Sequence, residues 1–315
     1  MPDQDQSPCI LFYCQQMAAM AHRIAELDPS IKLGDIKWGR FPDGYPGIYI
    51  EKQRKIRRMD VAFLASLEDP AYIFGQLAAA ITIAGYGVKR FRFILPFFPT
   101  AFMERADDEG QVITADTLAQ IISLLPVNSR PEVVIYDIHA LQLKSYFAKH
   151  VVIRLKSALK YFLPVLENYG EVSVCFPDYG SRKRFSKPFG KYPQIVCEKV
   201  RGTGAEAGKR VVKIIEGDPR GRHVVIVDDA IMTGGTTLEC RNALIAAGAS
   251  KVSAYVTHGR FAQDSWRKFL DAGFEKIWIT DSCPMQAAVV NTVKPFEVIS
   301  LAESIAHVVT DIDGL

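Results

Sequence analysis

Residues 223–237, HVVIVDDAIMTGGTT, decide how the rest of the chain reads. The run VVIV at 224–227 is unbroken and apolar, the mark of a strand buried on both faces of a parallel sheet. Asp228 and Asp229 stand where that strand is expected to end, and Thr233, Gly234, Gly235, Thr236 and Thr237 follow as a loop. LECRNALIAAGA then reads as a helix closed by Gly248. Glycines let backbone N–H groups approach a ligand closely, and threonine hydroxyls at a helix N-terminus favour an anion, above all a phosphate. Two carboxylates beside that anion would repel it, so they must face vicinal hydroxyls or a metal. A sugar phosphate satisfies both ends. A helix cap needs only one Asp, Ser or Thr, and accounts for neither the second acid nor the loop. The Gly-Lys-Ser/Thr ending of the Walker loop is missing.

Working outward, strand-like segments recur at 9–14, 60–66, 91–98 and 132–139, and again at 171–178, 194–200, 251–259, 276–281 and 296–300. Helical spacing separates them at 15–27, 71–84, 115–125, 155–168 and 301–309, with further helices after the strands at 223 and 251. IKWGRFPDGYPGIYIEK at 36–52 has a Pro/Gly-rich centre between alternating flanks and predicts a hairpin or turn. Strands alternating with helices imply parallel sheets in an α/β architecture. Polar residues fall just after strand carboxyl ends, where open α/β sheets bind ligands. At 315 residues, two domains are expected, with a boundary near 151–156.

Composition narrows the class. An apolar fraction of 49% suffices for two cores, and a net charge of +3 is too mild to argue for nucleic acid. Cys9, Cys14, Cys175, Cys197, Cys240 and Cys283 contain no CxxC pair and read as reduced, buried residues of a cytoplasmic protein, not a disulfide or zinc framework. MPDQDQ carries no signal-peptide pattern, and the apolar stretch at 77–88 is too short to span a membrane.

RFPDG, LPFFPTAFMERADDEG, YDIHALQ, FPDYGSRKRF, VCEKVR, GRHVVIVDDAIMTGGTT, AYVTHGRF and WITDSCP occur in that order. From about residue 10 to the C-terminus the chain resembles the ribose-phosphate pyrophosphokinases (PRPP synthetases), most closely the class II, plant-type, phosphate-independent enzymes. The resemblance implies two type I phosphoribosyltransferase-like domains, at 1–153 and 154–299, the second carrying the phosphoribosyl-diphosphate (PRPP) motif. A helix over 300–315 could pack on the first. It also implies transfer of a diphosphoryl group from Mg-ATP to ribose 5-phosphate, and a homo-oligomer whose active site a neighbouring subunit completes.

Site residues follow from the matching motifs. Asp228 and Asp229 would hold the ribose hydroxyls and Thr233–Gly234–Gly235–Thr236–Thr237 the 5-phosphate. Lys199 and Arg201 would be the cationic pair on a mobile catalytic arm, since the glycine spacing at 202–208 suits a flexible arm better than a dinucleotide loop. His139 and Asp178 would meet Mg²⁺, and Phe41, Asp43 and Arg105 the nucleotide. Taken alone, His139 would be a structural histidine, Asp178 a turn residue, Lys199 and Arg201 a solvated pair. Arg182, Lys183 and Arg184 read as a solvated face. Phe102 and Met103 replace an Arg-Gln pair of the class I enzymes, Tyr45 replaces an acid, and Met232 another, so GTP and CTP join ATP as expected donors. Competing readings are a PRPP-consuming phosphoribosyltransferase and a non-catalytic regulatory subunit.

Overall fold

A computed structural model describes residues 8–201 and 210–311, which fall into two compact units: 1–157 with 301–315, and 158–300. Unit 1 opens with β1 (Cys9–Tyr13), α1 (Ala18–Leu27) and β2 (Ile31–Leu33), followed by β3 (Ile36–Arg40) and β4 (Pro46–Ile50). It continues through β5 (Asp60–Leu64), α2 (Pro70–Gly85), β6 (Arg90–Leu95), α3 (Thr114–Ile122), β7 (Pro131–Tyr136) and β8 (Val152–Lys156). Its six-stranded sheet has the order β2-β1-β5-β6-β7-β8, with every adjacent pair parallel. β3 and β4 form the expected antiparallel hairpin, in register from Ile36↔Ile50 to Arg40↔Pro46. α2 starts at Pro70, where the missing N–H costs nothing, behind an Asp69 side chain that accepts from the Ala71 N–H.

Unit 2 holds α4 (Leu159–Glu167), β9 (Val172–Phe176), α5 (Tyr179–Phe185), β10 (Gln194–Arg201), β11 (Arg210–Glu216) and β12 (His223–Ile231). α6 (Gly235–Ala246), β13 (Lys251–Gly259), β14 (Ile277–Thr280), α7 (Pro284–Val290) and β15 (Phe296–Ile299) complete it. The sheet order is β11-β10-β9-β12-β13-β14-β15, parallel except for the antiparallel edge pair β10–β11. The VVIV run places Val225 and Val227 against Phe162, Tyr255 and Trp278 on one face, and Val224 and Ile226 beside Leu244 of α6 on the other. Both faces are dry, which is why the run has no polar alternation.

The chain returns to unit 1 as α8 (Ala302–Thr310), whose Ile305, Val308 and Val309 are buried. Buried Arg92 on β6 fixes this return: it binds Glu132 of β7 at 3.1 Å and donates to the Val309 and Asp311 carbonyls, the former at 3.0 Å. Arg154 on β8 reaches both Glu132 at 3.2 Å and the Asp311 carboxylate at 2.7 Å. Tyr136 donates to Ser304 Oγ at 2.8 Å.

Candidate active site

In unit 2 the decisive residues gather at the carboxyl end of β12. Pairing of β12 with β9 stops at Ile226↔Cys175, whereas pairing with β13 runs on to Ile231↔Gly259. The strand therefore does not end at Asp229 as its sequence suggests. The acids lie on a stretch bonded on one side only, and β13 carries the strand two residues further.

Asp229 is 3% exposed, and its Oδ1 accepts a hydrogen bond from Arg184 Nη2 at 2.6 Å. The same guanidinium lies 3.5 Å from Asp228 Oδ1, and the Asp229 N–H donates to that oxygen at 2.9 Å. Arg184 thus leaves the solvated face to which its charge run assigns it. α5 turns it inward, while Arg182 pairs with Glu216 at 2.7 Å and Lys183 is exposed. Burial pushes the Asp228 carboxyl well above the usual carboxylate range, with the charges of Asp229 and Asp178 adding to the rise and Arg184 opposing it.

Asp178 caps α5, its Oδ1 accepting from the Ser181 N–H at 2.8 Å, and Ser181 Oγ donates to the Val227 carbonyl at 2.7 Å. The capping role expected of a turn residue is therefore present, and its charge still reaches Asp228. Oxygen donors whose charges oppose one another suit a hard divalent cation such as Mg²⁺, which also keeps waters and phosphate oxygens among its ligands.

The loop after β12 is shaped by Gly234, at φ 81, where a side-chain carbon would stand 2.7 Å from the Phe269 ring. Both the left-handed backbone and the ring require glycine there. α6 opens directly after it, so its first-turn N–H groups and positive dipole end face the loop. Lys199 Nζ donates to Thr236 Oγ1 at 2.7 Å, bringing strand cation and loop together. Arg201 closes β10; its side chain and residues 202–209 lie outside the described residues. A second cation, Lys268, donates to the Thr233 carbonyl at 3.1 Å. It arrives from the 3-10 stretch 262–269, in a segment read from sequence as an ordinary helix, and no motif announces it. The same stretch braces the loop through Ser265 Oγ and the Ala262 N–H, which donate to the Met232 carbonyl at 2.9 and 2.8 Å.

In unit 1 the hairpin tip holds Phe41 and Tyr45 out to solvent, 60% and 64% exposed. Asp43 Oδ1 accepts from the Tyr45 N–H at 3.1 Å and so shapes the turn. At the end of β7, Asp137 takes a left-handed φ of 35, and two residues later the His139 ring packs 4.4 Å from that of Phe102. Arg105 is exposed and paired with Asp107 at 3.1 Å. Unit 2 therefore supplies two adjoining carboxylates and a glycine-shaped helix N-terminus with Lys199 and Lys268 beside it. Unit 1 supplies an exposed aromatic and an imidazole.

Residues 9–125 match the N-terminal domain of ribose phosphate pyrophosphokinase, and residues 192–313 the phosphoribosyl synthetase-associated domain. Over 308 residues the chain is 46% identical to the spinach (Spinacia oleracea) protein named ribose-phosphate pyrophosphokinase 3, mitochondrial, covering 94% of this chain and 75% of that protein. It is 45% identical over 307 residues to Arabidopsis thaliana ribose-phosphate pyrophosphokinase 4, covering 94% and 90%. The crystal structure of phosphoribosylpyrophosphate synthetase from Mycobacterium smegmatis superposes with a TM-score of 0.83 at 21% identity, over 96% of this chain and 98% of that one.

Proposed function

Because this chain belongs to the ribose-phosphate pyrophosphokinase family, we propose the following roles for its residues in the family reaction. The reaction moves the β,γ-diphosphoryl group of ATP to the 1-hydroxyl of ribose 5-phosphate and yields PRPP and AMP. The observation that carries the assignment is the Asp228–Asp229 pair beside a glycine-shaped helix N-terminus that Lys199 already reaches through Thr236.

Asp228 and Asp229 accept hydrogen bonds from the ribose 2- and 3-hydroxyls, and Arg184 holds Asp229 in place for them. Thr233, Gly234, Gly235, Thr236 and Thr237 hold the 5-phosphate with N–H groups, hydroxyls and the α6 dipole. Anchored at both ends, the sugar presents its 1-hydroxyl for in-line attack on the β-phosphorus. The bond from that phosphorus to the oxygen of the α-phosphate breaks, AMP departs with that oxygen, and the proton of the 1-hydroxyl passes to solvent. Positioning and charge stabilisation carry such transfers, since they need little covalent help from protein. Lys199, with Arg201, neutralises charge on the transferring group and the departing phosphate. Asp178 in unit 2 is the proposed carboxylate contact of Mg²⁺, and His139 in unit 1 is proposed separately as a metal and nucleotide-phosphate contact. The ion supplies charge neutralisation on the polyphosphate.

Phe41 stacks on the base, with Asp43 reading it and Arg105 contacting the nucleotide. Their exposure at the hairpin tip and in the Asp107 pair supports a homo-oligomer in which a neighbouring subunit shares these contacts. Among the described residues no helix is long and apolar enough to cross a membrane. The described cysteines, all free and buried, support a reducing compartment, and the cytoplasm is the proposed one. The deciding experiment is release of AMP from ATP with and without ribose 5-phosphate. Release that depends on the sugar phosphate is expected. Its absence from folded protein would favour the non-catalytic subunit, and consumption of added PRPP with a free base would favour the phosphoribosyltransferase.

A further inference from the structure

Three of the cysteines that look unrelated in the sequence converge beneath the Lys199–Thr236 contact. Cys175 comes from the central strand β9, Cys197 from β10 and Cys240 from α6, and all three side chains are fully buried. Their sulfurs form a nearly equilateral triangle: 3.6 Å from Cys175 to Cys197, 3.7 Å from Cys175 to Cys240 and 3.6 Å from Cys240 to Cys197. Strand register builds this arrangement. Cys175 pairs with Ile195, so Cys197, two residues on, shares its face, and beside it the pairing of β10 with β11 steps from Val196↔Glu216 to Cys197↔Ile214, leaving Ile215 of β11 as the extra residue of a bulge.

The triangle has the dimensions of a metal site. A tetrahedral ion with Zn–S bonds near 2.3 Å requires sulfurs about 3.8 Å apart, whereas a trigonal planar one requires about 4.0 Å. An ion bonded to these three sulfurs at about 2.3 Å would sit roughly 0.9 Å above their plane, leaving one tetrahedral position for a water. Thiolate sulfur selects soft and borderline cations and rejects Mg²⁺. A divalent ion leaves a buried tri-thiolate with one net negative charge, where a monovalent ion would leave two. Rigid elements carry all three ligands, so little rearrangement is needed.

We propose that Cys175, Cys197 and Cys240 form a structural zinc site that ties β10 to α6. Cys197 lies two residues before Lys199 on the strand, and Cys240 lies one helical turn after Thr236. The ion therefore forms the floor beneath the cation–hydroxyl contact at the phosphate loop. Because the sulfurs are buried, zinc enters as sheet and helix close on each other, displacing thiol protons to solvent.

The test uses the full chain produced in zinc-supplemented medium, desalted, and assayed by elemental analysis. One equivalent of zinc per chain is expected, falling to background in the double variant Cys197→Ser/Cys240→Ser. Should that variant misfold, wild-type protein refolded with Cd²⁺ serves instead, with a cadmium–thiolate charge-transfer band in the ultraviolet as the expected signature. Amide hydrogen exchange in β10 and α6 should slow in the zinc-loaded chain, and equal exchange with and without zinc would overturn the tie between the two elements. Wild-type protein that retains no zinc, gives no cadmium band and yields every thiol to Ellman's reagent on denaturation would overturn the site. Retention of copper(I) in preference to zinc would overturn the choice of metal.

Discussion

Replacing Arg184 with methionine tests the carboxylate cluster most directly. Methionine keeps much of the side-chain bulk and removes the guanidinium that lies 2.6 Å from Asp229 and 3.5 Å from Asp228. Removing one partner of a fully buried ion pair costs about 3–5 kcal/mol. Arg184 is 21% exposed and Asp228 16%, so solvent relieves part of the penalty and about 2 kcal/mol is the expected loss at neutral pH. In a unit of this size that corresponds to a melting shift of roughly 4–8 °C. The sign of its pH dependence follows from Asp228. Its folded pKa is raised by burial and by Asp229 and Asp178, so the native state pays for ionisation above that pKa and is relieved as pH falls through it. Without Arg184 the rise is larger, and the deficit of the variant should shrink on going from neutral to acid pH. The KM for ribose 5-phosphate should rise at the same time, because Asp229 loses the group that orients it. Thermal melts of both proteins at several pH values, paired with initial rates against ribose 5-phosphate, make the measurement. A variant that melts with wild type at neutral pH and keeps its KM would refute the account of Arg184.

Asp228→Asn should raise the melting temperature by removing a repelled charge, yet weaken ribose 5-phosphate use by about one to two decades, at roughly 1.5–3 kcal/mol per charge-assisted hydrogen bond; parallel melting and kinetic assays read both. Lys199→Ala should lower kcat by about 10²–10³ with small changes in either KM, the signature of a group needed as charge moves; a raised KM with normal kcat would make it a ground-state binder. GTP and CTP should both yield measurable PRPP in phosphate-free buffer, because Phe102, its ring tilted against that of His139, offers the nucleotide no directed donor, leaving stacking on Phe41 to accept any base. Activity with ATP alone, and only after phosphate is added, would refute that expectation.

Much of the α/β architecture was legible because the sheets are parallel apart from the β10–β11 edge pair and their central strands are dry on both faces. Runs such as VVIV and FRFIL have no other economical reading. What escaped detection sits at the edges. Lys32 in β2 and the alternating VIRLK of β8 look like connections, since an edge strand needs only one apolar side. β11 pairs antiparallel beside a segment whose glycines suggest only a mobile arm. α5, YGSRKRF, has a glycine and four polar residues and owes its start to the Asp178 cap. The carboxylates and the loop were readable as one local motif. Arg184 and Lys268 were not, because what draws each to the motif is tertiary: the fold of α5 in one case, the 3-10 stretch after β13 in the other. The thiol triangle is more extreme, its members separated by 22 and 43 residues in the chain.

The return of the chain to unit 1 has a consequence for synthesis. Arg92 emerges from the ribosome long before the Val309 and Asp311 carbonyls that satisfy it. At about 5–20 residues per second, some ten to forty seconds separate them. Throughout that interval unit 1 is a sheet with a buried arginine still wet and one flank of apolar side chains uncovered, whereas every strand of unit 2 has been made before α8 appears. The second unit can therefore be finished first, and the nascent first half is the natural client of a chaperone.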